Sequence, residues 1–506
     1  MPPSRFKRLE LAVAICAASL TMHSSRAQDL PQGADVTHGR IDIDVQGQHM
    51  QVQQGSQYGI VNWDTFSIGA GYHVDFDNGS GATLNRVTGT DVSHIYGQLT
   101  ASGSVYLLNS NGIVIGEGGQ VLTGGHFIGS TLDIQDSDFL DGGGFTLFGE
   151  ASSGVTNLGK ISSSGGNVLL AGYTVENRGE ISAPQGHAGL AAGTRVDVLT
   201  DTSWAGGAFA VKLGERDSSV SNEGRIQAMV AELRTHNGNI YALAGNNTGL
   251  IQATGVRSEG GKVFLTAEDG LVQSSGVVSA VNADGSGGDI EISAQSIENY
   301  GGEQDVSGST GGRISLTADS IISDTTMRAD GLKGAGGLIT LEAEHEILLT
   351  AAGEINARGA TSGGEIAVDG GAGKTLLSGS INVSGGLQGG RVSLWGQSVS
   401  MFGGSILAEG GALGGEVYLG GGWQGRDIWQ GNALLETSNS QSTYLSETSH
   451  ISVDARQLGK GGTVAAWSDG ITQFAGKITA RGGLLGGDGG MVETSGLDGL
   501  GVSGDV

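Results

Sequence analysis

The chain has 506 residues, of which 95 are glycine and only 4 proline, with charged residues at 15% and a formal net charge of −26. Such a composition matches neither collagen nor a charged disordered tail, and the acidity makes nucleic acid and anionic membrane poor partners. Cys16 is the only cysteine, which leaves no room for disulfides and, once the leader containing it is removed, none for thiolate metal sites or cysteine catalysis.

In chain order, Arg5, Lys7 and Arg8 precede an apolar stretch from Leu11 to Met22, followed by Ser25-Arg26-Ala27 with small residues three and one positions before a cut. This is the pattern of a secretory signal peptide over residues 1–27, cleaved near Ala27. The apolar stretch falls short of the ~20 residues that a membrane-spanning helix needs. The mature chain is expected to leave the cytoplasm as a soluble polypeptide.

Residues 28 to about 134 are rich in asparagine, histidine and aromatics and lack the periodically recurring glycine pairs of the later chain. Degenerate glycine-bounded segments follow at 166–172, 186–193 and 238–245. From Gly260 onward glycine pairs recur, with second members at Gly261, Gly288, Gly312, Gly337, Gly364, Gly390, Gly415, Gly462 and Gly490. After each pair apolar residues alternate, as in Val263, Leu265 and Ala267 or Ile314, Leu316 and Ala318, and short strands such as Ile381-Asn382-Val383 precede the pairs. Each repeat reads as strand, glycine-rich turn, strand and variable loop, with glycine placed by a turn rule. Units of this size cannot close a core alone and must stack. Glycine pairs exclude helical repeats, and the leucine-rich-repeat pattern with its asparagine ladder is missing. The fold class expected is all-β, a right-handed parallel β-helix of about 18 rungs and roughly 90 Å, with Lys262, Asp289, Arg313, Glu365 and Glu416 facing water.

The segment 28–134 carries five ordered blocks: Leu30–Gly39, Ile60–Gly69 with Asn62, Trp63 and Phe66, Leu84–Gly89 with Asn85 and Arg86, Val105–Ile113 with Asn109, Asn111 and Gly112, and Ser130–Ile134. In this order and spacing it resembles the haemagglutination-activity, or two-partner-secretion, domain of filamentous haemagglutinins and high-molecular-weight adhesins. The rung Gly186–Gly193 and the run Gly490–Gly496 fit the same family. One departure is Ser110, where the family has proline in an Asn-Pro-Asn-Gly turn, so a slightly looser turn is expected.

The resemblance implies a capping two-partner-secretion domain over 28–150, degenerate β-helix rungs over 151–255 and glycine-pair repeats over 256–506, the last open to truncation at the C-terminus. It implies export from a Gram-negative cell through an outer-membrane β-barrel transporter whose periplasmic domains capture the N-terminal domain. Asn62, Trp63, Phe66, Asn85, Arg86, Asn109, Asn111 and Gly112 are the residues assigned to that secretion motif, set against a plainer role in capping the core and bonding turns. The product is expected to be a secreted or surface-exposed adhesin, a monomeric rod with a host glycan or protein receptor. It is expected to carry no cofactor or metal and to have no enzymatic activity. A toxin or haemolysin of the same route is the alternative. A β-helical polysaccharide lyase is a lesser one, because Arg313, Arg391 and Arg481 sit at unlike offsets without a matching acid set. The acidic turn at 284–289 reads as solvated rather than calcium-binding. His73, His94, His126 and His187 read as surface or turn residues, and Trp395, Trp423, Trp429 and Trp467 as exposed aromatics.

Overall fold

The computed structural model describes residues 29–150, 152–199, 218–235, 261–426 and 438–506, together with the strands Phe209–Lys212, Asn239–Ala242, Leu250–Thr254, Ile428–Gln430 and Ala433–Leu435. The signal peptide expected over residues 1–27 and the side chain of Trp429 lie outside the described residues.

Each repeat contributes three strands, and like strands of successive repeats pair in parallel, so the chain coils into a parallel β-helix with three long sheets. In one repeat Thr326–Arg328 lies in the first sheet, residues 338–343 in the second and 346–349 in the third. The third strand corrects the two-strand unit read from the sequence. It follows the second almost without a break, as in Arg313–Ser323, where one register shift near Ala318 turns the corner. An unbroken strand pattern therefore concealed a bend.

The interior is a set of apolar ladders. Val263, Ile290, Ile314, Ile339, Ile366, Val392, Val417 and Val464 occupy one register position of the second sheet, and all are fully buried. β-branched side chains suit such a pleated, packed surface. On the outer face Lys262, Asp289, Arg313, Leu338, Glu365, Arg391 and Glu416 form a matching row. Thus Arg313 and Arg391, each directly after the second glycine of a pair, share one offset with acids between and beside them, which corrects the unlike offsets first read.

The glycine pairs have a reason other than a turn conformation. A Cβ at Gly288, Gly312, Gly337, Gly364, Gly390, Gly415, Gly462 or Gly490 would lie 1.9–2.2 Å from the carbonyl oxygen of the corresponding glycine one rung earlier. Close backbone stacking, not positive φ, fixes these positions.

Among the described residues the second sheet holds sixteen strands, from Tyr58–Trp63 to Met491–Gly496. At ~4.8 Å per rung they span about 70 Å, fewer rungs than expected because three segments leave the coil. The chain leaves the coil after Ser130, Ala192 and Leu419 and rejoins it at Gly154, Ser219 and Ser442, each time between the second and third sheets. At the N-terminal end Asp35–His38 pairs antiparallel with Tyr58–Trp63, and Ile41–Gln46 pairs antiparallel with His49–Gln54. Ile41 and Ile43 pack on the first rungs and close the end of the core, as a solenoid requires.

Candidate functional site

The first two excursions meet over the outer face of the second sheet. Asp133–Ile134, Phe145–Phe148, Arg195–Val198 and Phe209–Lys212 form a four-stranded antiparallel sheet, whose first two strands are joined through the helix Asp136–Asp141. Beneath lies a second core, in which Ile60, Leu84, Ile128 and Leu169 from the solenoid pack with Phe139, Leu147 and Val196 from the excursions. This extra-helical sheet draws strands from both sides of residue 150, where the sequence suggested a domain boundary.

Arg86 ties the excursion to the coil. Its Nε donates to Asp133 Oδ1 at 2.9 Å, and its Nη2 donates to Asp136 Oδ1 at 2.8 Å and to the Ile134 carbonyl at 2.9 Å. Trp63 and Phe66 point inward and meet edge to face, with centroids 5.5 Å apart at 86°. The Trp63 indole N–H donates to Asn85 Oδ1 at 3.0 Å, while Asn85 Nδ2 reaches the carbonyls of Thr83 and Tyr106. A buried amide and a buried indole thus satisfy one another.

Asn109 bonds the Asp91 carbonyl and the Ser93 hydroxyl, both at 2.9 Å, and its Oδ1 accepts the Asn111 backbone N–H at 2.9 Å. Asn111 Nδ2 donates to the Gly89 carbonyl at 2.8 Å. Gly112, at φ 125°, closes the turn by donating to the Asn109 carbonyl at 3.0 Å. The turn carrying Ser110 is thus closed by side-chain and backbone hydrogen bonds together. Asn62 is half-buried and its Oδ1 has no hydrogen-bond partner. Of the eight residues, only Asn62, Arg86 and Asn111 keep side chains partly accessible in the folded domain.

Several side chains take places that local sequence did not foretell. His187 is buried, not at the surface: its Nδ1 lies 3.0 Å from Glu232 Oε1, and Arg234 Nε donates to Glu232 Oε2 at 3.0 Å. A ladder leads to it, since His126 N–H donates to Ser104 Oγ, Asn167 N–H to His126 Nδ1, and His187 N–H to Asn167 Oδ1. The bond at Nδ1 leaves the neutral His126 ring with its proton on Nε2, and desolvation at the cavity edge lowers its pKa from the usual histidine value although the residue itself stays exposed. These residues edge a cavity of about 540 Å³ beneath the helix, shared with Tyr58, Tyr106 and Phe139. Burial, aided by Tyr58, pushes the Tyr106 phenol up to about 12.

Other readings are corrected by packing. Trp395 is buried at 2% exposure, and Trp423 and Trp467 are half-buried. An asparagine ladder does exist: Asn157 Nδ2 donates to Asn177 Oδ1 at 2.8 Å, and Asn177 Nδ2 to Asn222 Oδ1 at 2.7 Å. His73 and His94 are half-buried in the first turns. In the turn at 284–289 the Asp284 carboxylate accepts the Ser286 N–H and hydroxyl, which is turn bonding. Among the described residues no group of three or more potential metal-ligating side chains comes together.

The fold and this capped, sheet-covered first half define a class. Residues 27–280, half of the chain, match the TPS secretion domain family, and the chain belongs to that family, whose members are exoproteins of two-partner secretion, exported across the outer membrane. Two curated relatives, each named heme/hemopexin-binding protein, come from Haemophilus influenzae. That of strain ATCC 51907 / DSM 11121 / KW20 / Rd is 32% identical over 256 residues, covering 48% of this chain and 28% of the relative. The other is 34% identical over 110 residues, covering 21% of this chain and 12% of the relative. The matches thus span less than a third of either relative. Two solved structures are also similar. The HMW1 secretion domain from Haemophilus influenzae is 23% identical with a TM-score of 0.37, covering 94% of this chain and 97% of that one. The filamentous hemagglutinin secretion domain is 15% identical with a TM-score of 0.29, covering 68% and 99%.

Proposed function

We propose that the chain is an adhesin whose N-terminal domain is read by a dedicated outer-membrane β-barrel transporter, and whose β-helix then displays a binding surface outside the cell. The family membership of residues 27–280 carries this reading. The architecture supports it physically. Every rung of the coil pairs with the rung before it, so a chain emerging in order folds against what has already emerged. Few prolines slow that process. The burial of Trp63, Phe66, Asn85 and Asn109 means that a transporter reading these side chains meets them before the domain folds. Asn62, Arg86 and Asn111 remain available afterwards.

The action proposed is binding without catalysis. A polysaccharide-cleaving alternative keeps one foothold, the outward row in which Arg391 lies between Glu365 and Glu416 and pairs with Glu416 at 2.8 Å. Burial, with Glu416, raises the Glu365 pKa against the opposing pull of Arg391.

The test is co-expression in a Gram-negative host with and without the partner transporter, scoring the chain in the medium and on the cell surface. Export that needs the transporter and is lost on deleting residues 28–134 is expected. Export indifferent to both would overturn the transporter reading. Release of reducing ends from an acidic polysaccharide, abolished by Glu365→Gln, would replace binding with catalysis.

A further inference from the structure

The row of side chains beneath the helix Asp136–Asp141 breaks its own pattern at His187. Ser104, His126, Asn167 and His187 directly precede Val105, Phe127, Val168 and Ala188, which are in register on successive rungs of the second sheet. Along this outward row each side chain accepts the N–H of the next rung: Ser104 Oγ that of His126, His126 Nδ1 that of Asn167, and Asn167 Oδ1 that of His187.

His187 ends the series. Its Nδ1 turns instead to Glu232 Oε1 at 3.0 Å, and Glu232, with no exposed surface, also accepts from Arg234 Nε. A carboxylate at Nδ1 holds the imidazole proton there and leaves a lone pair on Nε2. Nε2 is buried and has no hydrogen-bond partner in the protein, and the His187 side chain is only 6% exposed. A buried acceptor left unmet is costly, and the bond to Glu232 fixes this one in place.

The surroundings define what that acceptor can meet. The imidazole lies on the wall of the 540 Å³ cavity, a size that takes a small molecule. Tyr58, Tyr106, Phe139 and Phe145 line it together with Ile128 and Leu169. Tyr106 meets Phe139 at 5.1 Å and Phe145 at 5.8 Å, centroid to centroid, and such clusters accept a further ring in offset or edge-to-face contact. Among the described lining residues Asp138 is the only carboxylate and there is no lysine or arginine, so an anion would be left unpaired. His126, two rungs from His187 or about 10 Å at ~4.8 Å per rung, is exposed and marks the solvent side.

We infer that this cavity binds a neutral aromatic molecule of the phenol class. Its rings lie against Tyr106, Phe139 and Phe145, and its hydroxyl donates to His187 Nε2 while Glu232 anchors the imidazole from behind. The hydroxyl decides specificity, because a site with a buried acceptor rejects an analogue that has no donor. A bare metal ion fits less well, since among the described residues no group of three potential ligands forms. The walls come from the coil and from the excursion alike, so occupancy also fastens one to the other.

Equilibrium dialysis of the exported chain against 2-naphthol, 2-methoxynaphthalene and naphthalene tests this at pH 7, where a phenol is neutral. One 2-naphthol should bind per chain, and the two compounds without a donor should bind about tenfold more weakly or worse. His187→Phe keeps a ring and removes the acceptor, so 2-naphthol should then bind no better than naphthalene, with circular dichroism checking that the variant is folded. Hydrogen exchange on the unaltered chain reads the same site without a variant. There 2-naphthol should protect the amides of Phe145–Phe148 and of residues 187–192, while those of Arg391–Trp395 keep their rates. An absence of saturable binding, equal affinity for the three compounds, or protection confined to other strands overturns the inference, and none of these outcomes touches the transporter reading.

Discussion

Replacing Gly364 by alanine puts a Cβ 2.1 Å from the Gly337 carbonyl oxygen and 2.7 Å from the Gly336 carbonyl carbon. Both neighbours are backbone, so nothing flexible can yield. The same Gly337 oxygen accepts the Glu365 N–H at 2.9 Å, and separating the rungs enough to seat the methyl weakens that bond. Overpacking costs ~1–3 kcal/mol and the hydrogen bond ~0.5–1.5 kcal/mol, while the reduced entropy of the unfolded chain returns ~0.4–1 kcal/mol. The net is a loss of about 2 kcal/mol, a roughly thirtyfold increase in local opening. Hydrogen exchange of the amides in Glu365–Asp369 and Arg391–Trp395 reads this directly, and suits a solenoid better than a single unfolding midpoint. Gly489→Ala is the control, because its Cβ would meet only the Ala480 carbonyl oxygen at 3.6 Å. If Gly364→Ala exchanges like the control, close stacking is not why glycine recurs every rung.

Arg86→Met should loosen the extra-helical sheet without unfolding the coil. Its two carboxylate partners are about half exposed, so each ion pair contributes only ~0.2–1 kcal/mol, and with the Ile134 bond the loss is about 2 kcal/mol. Limited proteolysis should then cut within 131–153 while the glycine-pair rungs stay intact; equal cutting in both regions would refute a local clamp. His73 is held below its ordinary pKa by burial and then by His49, 4.8 Å away ring to ring, with Asp75 opposing. Its folded pKa is depressed, so the unfolded chain binds more protons, and stability present above about pH 6.5 declines as the pH falls through that value. Exchange protection in His49–Gln54 and His73–Asp77 should therefore fall between pH 7.5 and 5, and His73→Gln should flatten the slope; an unchanged slope would assign the effect to other groups.

Alternation and glycine period carry a local message, and the sequence by itself determined the stacked parallel coil, the special first 134 residues and the irregular gap after Gly415. Each of these is written in residues that are neighbours along the chain or one period apart. The third strand was hidden because it continues the second through a corner with no glycine or proline to mark it, as in Arg313–Ser323. The sequence named candidate residues but not the contacts they make. Trp63 and Asn85 sit 22 positions apart, and only the rung-to-rung register makes them partners. The extra-helical sheet joins Phe145–Phe148 to Arg195–Val198 across more than a full rung, and His187 meets Glu232 across 45 positions. The burial of Trp395 was likewise decided in tertiary structure. Register converts distance along the chain into adjacency, and its shift at each corner and excursion is set by packing that no local pattern records.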